Sequence, residues 1–122
     1  MTTELAQRAV ACKRWKWLPG MSISDGLLHD RICTAWEDGK LEVRDMYIHD
    51  ASEWLPDLAD PATLGCLLAL VREAWQDPMA FVFPVPAERK YAIRCTQPGQ
   101  YGSYYEGKSE VDVLVKALED AP

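Results

Sequence analysis

Histidine is scarce in this 122-residue chain: His29 and His49 are the only two, and neither has a Cys, Asp or Glu partner three or four positions on along an evident helix. The four cysteines, Cys12, Cys33, Cys66 and Cys95, are spaced too widely for a CxxC zinc knuckle or redox pair. A metal site is therefore not expected. Each cysteine falls within an expected element, and Cys12 and Cys66 lie among apolar residues, so reduced and mostly buried thiols follow. No apolar run approaches the roughly 18 to 20 residues of a membrane span. The first 18 residues carry Glu4, Arg8, Lys13, Arg14 and Lys16 where a signal peptide needs an apolar centre. The expectation is a cytoplasmic protein with no membrane contact. There is no basic excess either, because 13 Lys and Arg face 19 Asp and Glu for a net charge of −6. Nucleic-acid binders show the opposite balance, so direct nucleic-acid binding is not expected.

What is present is a globular composition, with 48% hydrophobic and 26% charged residues. The length fits one domain, residues 1–122. Negative charge is concentrated between Asp25 and Asp60, where ten acids stand against three bases for a local net of −7. A field of that kind steers a basic partner, or it only solubilises a face.

Residues 3 to 14 read as a first helix with Leu5, Ala9 and Cys12 on one stripe, stopped by Pro19-Gly20. Trp15-Lys16-Trp17-Leu18 is too aromatic for a plain linker and reads as the first extended piece of the core. Asp38-Gly39, flanked by alternating residues from 28 to 49, is a type I′ hairpin signal. Its register sets Glu37 against Lys40, Trp36 against Leu41, Ile32 against Asp45 and Asp30 against Tyr47. Asp60 is placed as N-cap and Pro61 as first residue of a helix that runs to Trp75, with Leu64, Leu67, Leu68, Val71 and Trp75 on one face. Pro84 and Pro86 confine the apolar run 80–85 to a sheet edge or a bulge.

Pro98-Gly99 then marks a type II turn between strands at 90–97 and 100–106, pairing Ile93 with Tyr104 and Ala92 with Tyr105. Ser109 and Asp112 cap a last helix whose buried face is Val111, Leu114, Val115 and Leu118, with Asp112 and Lys116 as an ion pair. The fold class is α+β: a mostly antiparallel sheet of about five strands in two hairpins, with three helices packed on it.

Catalytic patterns are thin. Glu53 and Asp57 beside Trp54 are compatible with a raised carboxyl pKa, but the expected reading is a solvated loop. No serine stands in a GxSxG elbow, and no spacing brings a cysteine to a histidine. The reading is a non-enzyme without cofactors. On the last hairpin Tyr101, Tyr104 and Tyr105 with Arg94, Lys90 and Lys108 form a secondary candidate surface, able to stack bases or to pack structurally. Five tryptophans exceed what a domain this small requires, so an exposed one would mark an interface.

The stretch Asp60-Pro-Ala-Thr-Leu-Gly-Cys-Leu-Leu-Ala-Leu-Val-Arg-Glu-Ala-Trp75, preceded by Trp54-Leu-Pro-Asp57, resembles small uncharacterised proteins of tailed phages and prophages. The Lys16-Trp-Leu-Pro-Gly-Met21 entry, the Asp77-Pro78 exit and the closing Ser109 to Pro122 segment fit the same likeness. The helix, aromatic sheet and final amphipathic helix are also weakly similar to phage α-β-α sandwich domains. The resemblance implies a phage accessory protein in a bacterial cytoplasm and carries no site residues.

The expected function is a non-catalytic inhibitor of a host defence complex, anti-CRISPR-like or other, or of a regulatory complex. Its expected contact residues are Glu37, Asp38, Glu42 and Asp45 around the hairpin tip, against a basic bacterial protein. Two alternatives stay open: a small-ligand module that sequesters a nucleotide signal, and a virion or assembly component. A homodimer also stays open.

Overall fold

The computed structural model describes residues 3–24, 30–32, 35–37, 40–43, 46–48 and 55–122. It is α+β. Helix α1 spans Thr3–Val10, α2 spans Pro61–Trp75 and α3 spans Glu110–Glu119. The strands are β1 Ser22–Ser24, β2 Asp30–Ile32, β3 Ala35–Glu37, β4 Lys40–Val43, β5 Met46–Ile48, β6 Leu55–Pro56, β7 Val82–Val85, β8 Lys90–Cys95 and β9 Ser103–Gly107. They form three separate antiparallel sheets, ordered β2-β1-β6, β3-β4-β5 and β7-β8-β9, where the sequence suggested one.

The Asp38-Gly39 hairpin keeps its expected register, with Glu37 opposite Lys40 and Trp36 opposite Leu41. It does not extend outward as expected. Asp30 and Ile32 pair with Ser24 and Ser22 of β1, and Val43 pairs with Met46, so the chain doubles back after β4. Arg44-Asp45, a polar pair between apolar neighbours, is as good a turn signal as a strand continuation, and two short strands, β4 and β5, replace the one long return strand.

Helix α1 ends four residues before its expected limit. The amide of Cys12 bonds to the carbonyl of Ala9 at 3.1 Å, a tightened last turn, so Cys12 lies beyond the helix. Cys12 and Cys66 are half-buried and only Cys95 is fully buried among the described cysteines, which corrects the expectation of mostly buried thiols. Cys33 lies outside the described residues. Burial pushes the Cys95 thiol up to about 12, with Asp77 adding to it, and the Cys12 thiol up to about 11.

Helix α2 starts as its sequence dictates. Asp60 is extended at its cap, its carboxylate accepting from the Thr63 amide and hydroxyl, both at 2.9 Å. Thr63 is fully buried, and its hydroxyl oxygen also accepts from the Ser22 amide at 2.7 Å, tying β1 to the first turn of the helix. The buried face is Leu67, Leu70, Val71, Ala74 and Trp75, while Leu64 and Leu68 are half-buried. The core stripe is thus rotated from the expected one toward Leu70. Trp75 donates its indole N–H to the Ala117 carbonyl at 2.9 Å, and Ile93 and Cys95 of β8 with Val113, Leu114, Val115 and Leu118 of α3 complete the core.

The closing helix begins at Ser109, whose hydroxyl accepts from the Asp112 amide at 3.1 Å, and Lys116 pairs with Asp112 at 3.3 Å as the sequence proposed. Its buried face includes Val113 and Ala117, with Val111 half-buried. At Gly107 an added Cβ would run into the Asp112 side chain, so glycine lets β9 pass close to the start of α3 without displacing that carboxylate.

Candidate functional site

The β7-β8-β9 sheet positions the site. In its register Val82, Ile93 and Tyr105 stand opposite one another, as do Phe83, Ala92 and Glu106 one residue along, and Arg94 pairs with Tyr104. This corrects the expected pairing of Ile93 with Tyr104 by one residue. The Gln97–Gln100 turn is present, with Gly99 at φ 76° and Gln100 bonded back to Gln97 at 3.1 Å. The return side then carries one residue more than the outgoing side before Ser103 pairs with Cys95. The extra length shifts every later partner, so Tyr105 turns inward and Tyr104 outward.

The two tyrosines have different fates. Tyr105 is half-buried, its ring 6.1 Å from that of Trp75, and its hydroxyl donates to the Asp120 carboxylate. Burial first, and Asp120 second, push its pKa up to about 12. Tyr104 is 44% exposed, and the Arg94 guanidinium lies 5.9 Å over its ring. Phe83 sits 6.5 Å from Tyr104 and 5.9 Å from Phe81, which is 59% exposed. Ala92 beneath them has no exposed surface, although it points away from the core. Phe81, Phe83 and Tyr104 thus form an aromatic stripe on the outer face, with Met79 exposed in the connection from α2 to β7.

Charges border this stripe. Lys90 bridges Glu88 and Glu106, whose hydrogen bonds hold its ammonium pKa above the ordinary value. The same lysine, then Tyr104, hold the Glu106 carboxyl below its usual range. Behind Phe81 a groove of about 320 Å³ runs between α2 and α3, lined by Leu64, Gly65, Leu68, Val82 and Leu114. Gly65 has open space where a side chain would be, so the groove floor there is bare backbone.

The sequence candidates divide accordingly. Arg94 and Tyr104 come together, Tyr105 belongs to the core side, and Tyr101 is fully exposed in the connection between β8 and β9. Glu37 and Glu42 occupy backbone positions opposite Lys40 and Ala35, while Asp38 and Asp45 lie outside the described residues, as do Glu53 and Trp54. Sequence reasoning missed Phe81, Phe83 and Met79. Their signal was available: Phe81, Phe83 and Val85 alternate along a strand that Pro84 marks as an edge, and an edge strand has a solvent side.

No helix among the described residues is long and apolar enough to cross a membrane. In comparisons with protein-family models, curated proteins and solved structures, nothing matches the chain.

Proposed function

We propose that this chain is a non-catalytic protein-binding module, and that its partner docks on the aromatic stripe of the β7-β8-β9 sheet. One observation carries the reading: beside Phe83, Phe81 stays 59% exposed and Tyr104, under Arg94, 44% exposed, although each has an apolar ring to bury. Tyr, Phe, Met and Arg are the residues enriched at protein contact centres. In the setting that the phage resemblance implies, the partner is a basic host protein or complex, and binding occludes it. The acidic segment with Glu37, Asp38, Glu42 and Asp45 speeds the encounter, and the stripe provides the lasting contact.

The test is capture from bacterial lysate with wild type, Phe81→Ser and Tyr104→Ser, followed by binding kinetics on the captured protein. Loss of about tenfold or more in affinity in either stripe variant, through faster dissociation, is the expected result. Reversing Glu37 and Glu42 to Lys should instead slow association at low salt. Affinities within about twofold of wild type for both stripe variants would overturn the assignment.

A further inference from the structure

β7 is the end strand of its sheet, and among the described residues no strand pairs with its outer side. The proline in it decides which backbone groups lie there. Pro84 has no N–H, so it and Tyr91 cannot exchange the two bonds of a hydrogen-bonded pair, and those bonds fall to Phe83 with Ala92 and to Val85 with Lys90. The backbone groups of Val82 and Pro84 therefore point away from β8. Ala80 comes next in this outward row and is already satisfied: its N–H donates to the Asp77 carbonyl at 3.3 Å, and its carbonyl accepts from the Arg72 Nε at 2.7 Å. Among the described residues the open row is thus the N–H and carbonyl of Val82 and the carbonyl of Pro84. An extended backbone matches such a row.

Val82 shares its face of the sheet with Ile93 and Tyr105, the side of the core. A residue paired with Val82 from outside would point the same way, and there it meets the groove of about 320 Å³ between α2 and α3. Leu64 and Leu68, one turn apart on α2, border this groove and stay half-buried, so the hollow is apolar and incompletely covered. The neighbours of the added residue would fall on the opposite face, beside Phe81 and Phe83. Glu110 borders the same groove, exposed, and among the described residues no ion pair engages it. A cation on the added segment completes that carboxylate.

We propose that the outer edge of β7 receives an extended segment of the protein partner as an additional strand, with an apolar side chain in the groove and a Lys or Arg at Glu110. The proposal rests on the reading of the stripe as a protein docking face for the class of its partner, and adds how the partner's backbone is held. A second copy of the chain fits the edge less well. It would set Val82 against Val82, whose side chain is packed on its own core, so both grooves would stay empty, and each copy carries a net charge of −6.

Selection of a displayed library of random peptides on the whole chain puts the edge to the test, followed by affinities of the enriched peptides made synthetically. The expected peptides hold a Leu, Ile or Phe with a Lys or Arg close by. Methylating their backbone nitrogens one at a time should cost about tenfold in affinity at two positions two residues apart, the donors to the Val82 and Pro84 carbonyls, and less than about twofold at the residue between. Gly65→Leu fills the groove from a position with open space for the side chain, so it should weaken the same peptides about tenfold without lowering the Tm. No enrichment, indifference to methylation, or wild-type affinity in Gly65→Leu would overturn the proposal. So would a dimer at about 10 μM that excludes the peptides, since the edge would then belong to a second copy. A captured partner weakened by Tyr104→Ser but not by Gly65→Leu would overturn the added strand and leave the stripe reading in place. One weakened by Gly65→Leu but by neither stripe variant would keep the strand and overturn the stripe.

Discussion

On the inner face of the β7-β8-β9 sheet, Ile93 and Cys95 are fully buried and Tyr105 leans on Trp75. On the outer face, Phe83, Tyr104 and Arg94 stand over a buried alanine with no helix of the described residues upon them, and Phe81 beside them is 59% exposed. Both faces are built from apolar and aromatic residues, so composition alone does not separate them. What separates them is the helices: α3 packs on one side, and its Val113, Leu114, Val115 and Leu118 exclude water from Ile93. The outer aromatics pack on one another, with Phe81 at the rim of the groove between α2 and α3. An exposed aromatic patch of this kind is the feature on which the proposed docking of a partner rests.

The largest test of this difference is Ile93→Ala. Truncation there leaves a cavity in the sealed layer and should cost about 2 to 5 kcal/mol in denaturant unfolding. A loss below about 1 kcal/mol would mean that the inner layer is not sealed. A smaller effect is expected with pH. The pKa of Tyr105 is raised in the folded chain from 10.0 to about 12, so folding favours its neutral form. That contribution is complete below pH 10, and stability should decline as pH rises toward about 12. Tyr105→Phe should flatten the decline and cost no more than about 1 kcal/mol at neutral pH, because the Asp120 hydrogen bond is partly solvated. Equal slopes in variant and wild type would remove Tyr105 from the account. The smallest effect belongs to the outer face, where Phe81→Ser should move stability by under about 0.5 kcal/mol. A larger loss would show that the stripe serves folding.

Local chemistry made α2 and α3 readable in the sequence. Asp60-Pro61 and Ser109 fix where the two helices start, and both caps form their expected hydrogen bonds. The Asp38-Gly39 register was readable because a two-residue turn leaves one pairing. The pairing of β8 with β9 was not, since the turn type constrains Gln97 to Gln100 and says nothing of an added residue beyond it. Long-range choices escaped the sequence for a similar reason. That β1 pairs with β6, and that α2 buries Leu70 more fully than Leu68, depends on partners many positions away. The stripe fell between these cases: its alternation was visible, but the side that α3 would cover was not.

The hydroxyl of Thr63 has a consequence for how the chain assembles. It donates to the cap of α2 and accepts from the backbone of Ser22, 41 positions earlier. Neither bond can be exchanged for water without opening a fully buried side chain. The lifetime of the Ser22 amide against deuterium therefore reports the opening of the α2 N-terminus, because the strand that owns the proton and the helix turn that shields it come apart together. Through this one side chain a three-residue strand, too short to hold itself, shares the fate of a fifteen-residue helix.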